Sequence, residues 1–244
     1  MNKYCLVTTY YCNNCNLPPL EEVKNKLNYD GDLKDLFINF SNSFDPWNIE
    51  NIKIQGIGRK DLIYGKIFML RDFIKENILG KYLYVCHIDF TDTRFCRSYL
   101  EMMETFEASE KNFIISTELK CWPNLETVKT WVNYTLEEKD FEYINSGALI
   151  SKTETLCNYL DNLCNLYLQA KVDYWDDQGV WQYYNLNIEK LNKDNLCEYF
   201  FSTAFLNESF FSIESNKIKT KFNTFPFLIH DNSSFSLNIK NLIK

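Results

Sequence analysis

The stretch YLYVCHIDFTDTRF, residues 82–95, places two carboxylates directly after an almost uninterrupted apolar run. Such a run is typical of a central strand that is buried on both faces. In α/β folds, ligands bind beyond the carboxyl ends of strands, and Asp89 and Asp92 would lie there. An Asp after a strand also caps turns or helices, which explains one of these acids well and both only moderately. A divalent cation such as Mn2+ or Mg2+ would relieve the repulsion between two close carboxylates.

Strand and helix patterns alternate through the rest of the chain. Apolar residues at helical spacing predict helices over residues 66–78, closed by Gly80, over 100–106, and after a capping box formed by Ser151 and Glu154. Residues 12–50 are polar and are predicted to hold one or two short helices. We therefore predict one domain over residues 1–244 with an α/β layered fold, a mostly parallel sheet flanked by helices. The predicted strands span residues 4–9, 52–57, 82–88, 113–116, 142–150 and 225–229.

Charge and composition exclude several classes of function. The net charge of −7 and the scattered basic residues argue against a nucleic-acid partner. No window is long and apolar enough to span a bilayer, and the first residues lack a signal-peptide core. Nine cysteines are expected as free thiols in a reducing compartment, so we predict a cytoplasmic protein. Cys12 and Cys15 form one C-x-x-C pair, but the second pair or the nearby histidines of a zinc site are missing.

The chain has two histidines. Strand alternation places His87 on the same face as Asp89, where a hydrogen-bonded core histidine is favoured over a metal ligand. His230 follows the last predicted strand and is a candidate third ligand for the acidic pair, although spacing alone supports this weakly. The D-x-x-D spacing disfavours aspartyl phosphatases, whose nucleophile motif is D-x-D.

Four further stretches, in this order after the D-x-x-D motif, carry a family resemblance. Together they resemble the glycosyltransferase domain of procollagen lysyl hydroxylases and the related collagen hydroxylysine glycosyltransferases. The resemblance covers about residues 4–232, and no oxygenase domain follows in the sequence, so the transferase part would stand alone. The stretches are ISTELKCWPN (115–124), YINSGALIS (143–151), WDDQGVWQYY (175–184) and FPFLIHDN (225–232).

The resemblance implies a GT-A fold, in which a Rossmann-like sheet binds a UDP-sugar. It implies that Mn2+ or Mg2+ is held by Asp89, Asp92 and His230 against the diphosphate of the donor. Such an ion stabilises the negative charge of the departing UDP as a Lewis acid.

The resemblance also implies a set of donor-binding residues. Two threonines of the first strand match family positions near the uridine, and Lys66 matches a lysine that approaches the phosphates or the donor sugar. Without the family, Lys66 is equally well explained as a solvated residue of a first helical turn. The candidates are Thr8, Thr9, Lys66, Phe90, Thr91 and Asn232.

The resemblance implies four residues that bind the sugars or take part in the transfer reaction. Trp122 matches a family tryptophan near the sugars, and Asn145 would line the donor pocket. Asp176 and Asp177 match acids that bind sugar hydroxyls, and one of them would orient the acceptor or stabilise positive charge at the anomeric carbon. Structural explanations stay open for these residues: a core position for Trp122, and a helix start for the two acids.

The chain departs from the family pattern at three places. Thr91 stands where the family has an aromatic residue between the metal acids, with Phe90 beside it. The segment 59–61 stands where the family has a tryptophan. The family histidine is followed by Gly-Asn-Gly, and here by Asp231, Asn232 and Ser233.

The expected function is metal-dependent transfer of glucose from UDP-glucose to galactosylhydroxylysine of a collagen-like protein, with retention and without a covalent nucleophile. One alternative keeps the fold and transfers galactose to hydroxylysine, or a sugar to another glycan. An alternative of another class is a nucleotide-sugar-binding module without turnover. The family implies substrates of the secretory pathway, whereas the chain's own features favour the cytosol.

Overall fold

The computed structural model describes residues 2–11, 16–41, 60–121, 140–169, 177–204, 206, 208–215 and 217–231. Within them, strands and helices alternate as the sequence predicts, and none of the described helices is long and apolar enough to cross a membrane. The helices are α1 (Leu20–Leu27), α2 (Lys60–Asn77), α3 (Tyr99–Ala108), α4 (Thr153–Leu168) and α5 (Asp177–Asn187), with 3-10 turns at Leu33–Asp35 and Glu208–Phe210. The strands are β1 (Asn2–Tyr11), β2 (Leu36–Ser41), β3 (Tyr82–Asp89), β4 (Thr93–Phe95), β5 (Phe113–Glu118), β6 (Tyr143–Lys152), β7 (Phe200–Ser202), β8 (Phe211–Glu214), β9 (Lys217–Thr220) and β10 (Leu228–His230).

The central sheet has the strand order β2-β1-β3-β6-β5. Strand β1 pairs in parallel with β2 and β3, whereas β6 runs antiparallel to both of its neighbours, β3 and β5. Four of the five strands therefore share one direction, which confirms the predicted α/β fold with a mixed, mostly parallel sheet. Because β6 is reversed, its first residues lie at the edge where β1, β3 and β5 end.

The apolar run of β3 is buried on both faces of the sheet. Val85 packs into a cluster with α2, α4 and α5, whereas Cys86 and Ile88 pack into a second cluster with α1 and α3. Burial of each such side chain contributes about 1.5–3 kcal/mol to stability. Asp89 is the last residue of this strand, so a strand of the central sheet with a buried core carries the first acid of the motif.

A second, three-stranded sheet has the order β4-β10-β7. Strand β10 pairs antiparallel with β4 and parallel with β7, and its register places His230 opposite Thr93. The end of the chain's last described strand therefore lies next to the turn after β3.

Three predictions about local structure need correction. The polar segment 12–50 contains α1 as predicted, but it also contains the parallel strand β2, which was not predicted. Ser151 does not cap a helix: it is part of β6, its hydroxyl donates to the carbonyl of Asn112, and α4 starts after Lys152 without a side-chain cap. The sheet pairing of Ser151 outweighs its capping preference. The last strand begins at Leu228, later than predicted.

Other local predictions are confirmed, differ in one boundary, or are untested. Gly80, with a φ of 77°, follows α2 as predicted, and Cys157 and Cys164 are buried free thiols on one face of α4. Helix α2 begins at Lys60, six residues before the predicted start at Lys66. The predicted strand over residues 52–57 and the Cys12–Cys15 pair lie outside the described residues.

Candidate functional site

Three residues with metal-binding side chains meet at the edge of the central sheet. Asp89 ends β3, Asp92 lies in the turn that follows, and His230 ends β10. One ligand atom from each residue lies within 4.8 Å of the others. Two carboxylates and an imidazole form a donor set that divalent cations such as Mn2+ accept.

Backbone contacts fix this cluster. The hydroxyl of Thr93 donates to the carbonyl oxygen of Asp89, which closes the turn between β3 and β4. The amide of Asp231 donates to the carbonyl oxygen of Asp92 at 2.7 Å and joins β10 to the same turn. Both metal acids and the histidine are therefore carried by strand ends and one closed turn.

The free nitrogen of His230 supports a cation at this position. Its Nε2 atom is buried, has no hydrogen-bond partner among the described residues, and lies 3.3 Å from Oδ1 of Asp92. An orphaned buried nitrogen beside a carboxylate is costly unless a cation or proton lies between them. Since the donor set and the orphaned atom agree, the three residues fit a divalent cation.

Burial and neighbouring charges shift the pKa values of Asp89, Asp92 and His230. Burial raises the pKa of Asp89, and the ammonium of Lys66 opposes this. Burial also disfavours the charged form of Asp92, but His230 outweighs it and lowers the pKa of that carboxyl. Burial opposes protonation of His230, and the carboxylates of Asp92 and Asp89 outweigh it, so the pKa of the imidazole is raised.

A buried lysine connects the cluster to a third acid, Asp177. Nζ of Lys66, in α2, lies 2.8 Å from Oδ1 of Asp89 and 2.8 Å from Oδ2 of Asp177, the first residue of α5. Burial disfavours the ammonium, but the two carboxylates outweigh it and raise the pKa of Lys66 above its ordinary value. Ser146 also donates to Asp177 at 2.7 Å. Lys66 is thus a buried, charged residue of the site, and the sequence-based alternative of a solvated lysine is wrong.

Amide and acid side chains form a second layer behind the cluster. Asn145 contacts Nδ1 of His230 at 2.9 Å through its Oδ1 atom and donates to Glu118 at 2.9 Å through its Nδ2 atom. Gln178 donates to the other oxygen of Glu118. Sequence reasoning missed Glu118, Ser146 and Gln178 as site residues, although all three lie within the quoted motifs. Glu118 ends β5, so the rule that placed Asp89 at a strand end would have found it as well.

The predicted uridine contacts of β1 point to opposite faces of the strand. The hydroxyl of Thr9 contacts Nε2 of His87 at 2.8 Å and accepts a weak hydrogen bond from Asn39. Thr8 is fully buried, and its hydroxyl has no partner among the residues described. His87 is the hydrogen-bonded core histidine that the sequence favoured, and burial lowers its pKa.

Phe90 and Thr91, the two residues between Asp89 and Asp92, differ in exposure to solvent. Phe90 is only 5% exposed, packs edge-on against Tyr10, and lies beneath the ammonium of Lys26 at 3.8 Å. This packing closes the ring to a nucleotide base and argues against the predicted donor contact of Phe90, which stays a prediction. Thr91 is exposed at the turn. Trp122, Asp176 and Asn232 lie outside the described residues.

Comparisons with known proteins agree with this geometry. A family model described as PLOD GT domain matches residues 35–244. Mouse xyloside xylosyltransferase 1 in its apo form has a similar structure, with a TM-score of 0.54 and 14% identity over 94% of this chain and 98% of that one. The galactosyltransferase LgtC, in complex with donor and acceptor sugar analogues, gives a TM-score of 0.50 and 11% identity over 94% and 87%. No curated protein sequence matches the chain. At these identities the structural likenesses establish the GT-A fold.

Proposed function

The chain belongs to the family of PLOD glycosyltransferase domains, which makes it a UDP-sugar-dependent glycosyltransferase, and we propose that it transfers glucose from UDP-glucose to galactosylhydroxylysine of a collagen-like protein with the help of Mn2+. The observation that carries the metal-dependent chemistry is the cluster of Asp89, Asp92 and His230 beside the buried Lys66–Asp177 ion pair. The glucose donor and the collagen-like acceptor rest on the family resemblance.

The metal ion, when bound, stabilises negative charge on the departing diphosphate. Asp89, Asp92 and Nε2 of His230 are the residues that would hold it, and Lys66 would add a fixed positive charge beside it. All of them lie at one edge of the sheet, where a preorganised arrangement needs little rearrangement during the reaction.

Asp177 is the carboxylate that we assign to the anomeric centre. It is held by Lys66 and Ser146 at 2.8 and 2.7 Å, so its orientation is fixed before a sugar binds. A carboxylate so placed stabilises positive charge at the anomeric carbon. The incoming hydroxyl would transfer its proton to the leaving diphosphate oxygen, so a covalent nucleophile is not required. Trapping of a glycosyl adduct on Asp177 would contradict this mechanism.

The remaining predicted contacts complete the proposal. The family resemblance makes Asn145 a candidate for the donor pocket, and Thr8, Thr9 and the exposed Thr91 are candidate uridine contacts. Trp122, Asp176 and Asn232 are candidates from the family resemblance for the sugar, the acceptor and the diphosphate.

The test measures UDP release from UDP-glucose and from UDP-galactose, with and without Mn2+, with a galactosylated collagen peptide as acceptor. Asp89→Ala removes a metal ligand, and Asp161→Ala removes an exposed carboxylate paired with Lys75 as a matched control. We expect acceptor-stimulated release from UDP-glucose that requires Mn2+, is lost in Asp89→Ala and is kept in Asp161→Ala. Release from UDP-galactose alone would favour galactosyl transfer to hydroxylysine or another glycan.

Tight UDP binding without release from either donor, with the collagen peptide present, would mean that the donor sugar or the acceptor is a different one.

A further inference from the structure

A buried chain of three side chains leads from strand β5 to the candidate metal ligand His230. Glu118 at the end of β5 accepts from Nδ2 of Asn145 at 2.9 Å, and Oδ1 of Asn145 lies 2.9 Å from Nδ1 of His230. The three residues are 2%, 1% and 3% exposed, so water does not compete for these contacts. The chain crosses β5, β6 and β10 and ends at the imidazole.

The carboxylate of Glu118 fixes which way the amide of Asn145 faces. The carboxylate of Glu118 accepts from the NH2 group of Asn145, which therefore points towards it. Its oxygen then points in the opposite direction, where it accepts from the amide of Gly147 at 2.9 Å. Gln178 donates to the second oxygen of Glu118 and holds the carboxylate in place.

The orientation of Asn145 fixes the proton on His230 in turn. Because Oδ1 of Asn145 only accepts, Nδ1 of His230 must donate, and the neutral ring carries its proton there. Its Nε2 atom is left with a lone pair, which faces Asp92 at 3.3 Å without a hydrogen-bond partner among the described residues. That tautomer is the one in which the imidazole can bind a cation through Nε2.

Gly147 packs against the imidazole ring of His230. A Cβ atom on this glycine would lie 2.0 Å from Cε1 of His230, so the imidazole rests directly against the backbone of β6. The ring is thus confined by Gly147 and oriented by Asn145.

We propose that Glu118, acting through Asn145, is the positioning residue that holds His230 in the tautomer that binds the metal ion. Glu118 does not touch the ion or the sugar in this role. The inference rests on the proposed metal site and deepens it, because it assigns the selection of the histidine tautomer to a residue on a different strand. Loss of the hydrogen-bond partner of a metal-ligating histidine lowers metal affinity by about 10- to 100-fold, and that partner here is Asn145, which Glu118 orients.

The test exchanges the carboxylate and the amide. Glu118→Gln can offer Asn145 an NH2 group in place of an acceptor. This favours reversal of the Asn145 amide, which then gives up its contact with the amide of Gly147 and presents its own NH2 group to Nδ1 of His230. The ring must then move its proton to Nε2, and Mn2+ affinity falls by about 10- to 100-fold. Asn145→Asp adds a second carboxylate beside Glu118, and the double variant Glu118→Gln/Asn145→Asp removes that repulsion. In the double variant the side chain at position 118 donates to the one at position 145, the reverse of the original contact. The carboxylate introduced at position 145 again accepts from Nδ1 of His230.

Two readouts apply to each variant. Mn2+ binding is measured by electron paramagnetic resonance without donor or acceptor. The tautomer is measured by 15N NMR of histidine-labelled, metal-free protein at an alkaline pH that keeps both rings neutral, and only two imidazoles contribute signals. Asn185→Asp is the control, since it also changes a buried amide that accepts a backbone hydrogen bond, from Leu191, and it is outside the chain of contacts.

The expected result is weak Mn2+ binding and an Nε2-protonated His230 in Glu118→Gln, with both properties restored in the double variant and unchanged in the control. Equal Mn2+ affinity in Glu118→Gln and the unaltered protein would overturn the positioning role and leave the metal site intact. Absence of Mn2+ binding by the unaltered protein would overturn the metal site itself. If Glu118→Gln does not fold, the folded double variant decides: weak Mn2+ binding there contradicts the proposal.

Discussion

Lys66 and Asp177 form a 2.8 Å ion pair that joins helix α2 to the first residue of α5. The same ammonium also contacts Asp89, so one buried cation is shared by a candidate metal ligand and by the candidate carboxylate for the anomeric centre. Because both acids depend on Lys66 for their counter-charge, the metal position and the sugar position are electrostatically coupled. This arrangement keeps the acidic site assembled before a cation is bound.

The first prediction concerns Lys66→Met, which removes the shared charge and keeps much of the side-chain volume. Breaking a buried ion pair on one side costs about 3–5 kcal/mol, and we expect a loss of stability in that range, measured by denaturant unfolding without metal. Mn2+ should recover part of it, because the ion neutralises Asp89. Lys75→Met is the matched control on the same helix, since its ion pair with Asp161 is exposed and contributes about 0–1 kcal/mol. Equal losses in the two variants would show that Lys66 is not a buried counter-charge.

The second prediction concerns Gly147→Ala. The added methyl group would overlap the ring of His230 and displace it, so we expect Mn2+ affinity to fall by tenfold or more, on the order of the effect of losing an imidazole partner. Gly80→Ala is the control. Gly80 has a φ of 77° and open space around it, so alanine there costs about 1–2 kcal/mol of stability through backbone strain. Its Mn2+ affinity should not change. A Gly147→Ala protein with unaltered affinity would show that the ring adjusts freely.

The third prediction separates Phe90 from Thr91. Phe90→Ala opens a cavity beside Tyr10, and we expect it to cost about 3–5 kcal/mol of stability. Phe90→Leu fills most of that space and should leave the KM for the donor close to that of the unaltered protein. Thr91→Ala is expected to change stability by no more than about 0.5 kcal/mol, since this residue is exposed. A donor KM that rises in Phe90→Leu would restore Phe90 as a nucleotide contact.

The sequence predicted the site residues whose position depends only on where a strand ends. Asp89 was predicted because an apolar run buried on both faces ends there, and the strand-end rule is local in sequence. The pairing of Lys66 with Asp177 was not predicted, because it depends on how α2 and α5 pack together. Glu118 also ends a strand, so the same rule would have found it. Its contact with Asn145 was not predictable, because it forms only once reversed β6 places Asn145 beside the end of β5.

The errors in local structure have two origins. Strand β2 contains the short apolar run LFINF within a mostly polar segment, and the prediction of helices there overlooked it. Its parallel pairing with β1 stabilises the strand. Ser151 has the spacing of a helix cap, but its hydroxyl finds the carbonyl of Asn112 across the sheet. At Ser151 a contact with a distant part of the chain outweighs the local preference.

The last prediction concerns Asp194, a buried carboxylate that closes the loop before β7. It accepts hydrogen bonds from the backbone amides of Glu198, Tyr199 and Phe200 at 2.7–2.8 Å. Asp194→Ala would leave three donors without their acceptor. Each buried unsatisfied donor costs about 1–3 kcal/mol, so we expect a loss of at least about 3 kcal/mol.

The pH dependence of stability tests the same residue. Burial raises the pKa of Asp194 from its ordinary value of 3.8 to about 6, and the three amides oppose this rise. The folded state therefore binds the proton more tightly than the unfolded state, and the contribution of Asp194 is complete below pH 3.8 and is lost as the pH rises through 6. Since Asp194→Asn cannot titrate there, the stability of the unaltered protein minus that of the variant should fall between about pH 4 and 6 by on the order of 2–3 kcal/mol. Denaturant unfolding across this range gives the difference. The exposed Asp161→Asn should show no such fall, and a flat difference for Asp194→Asn would mean that the carboxylate stays ionised in the fold.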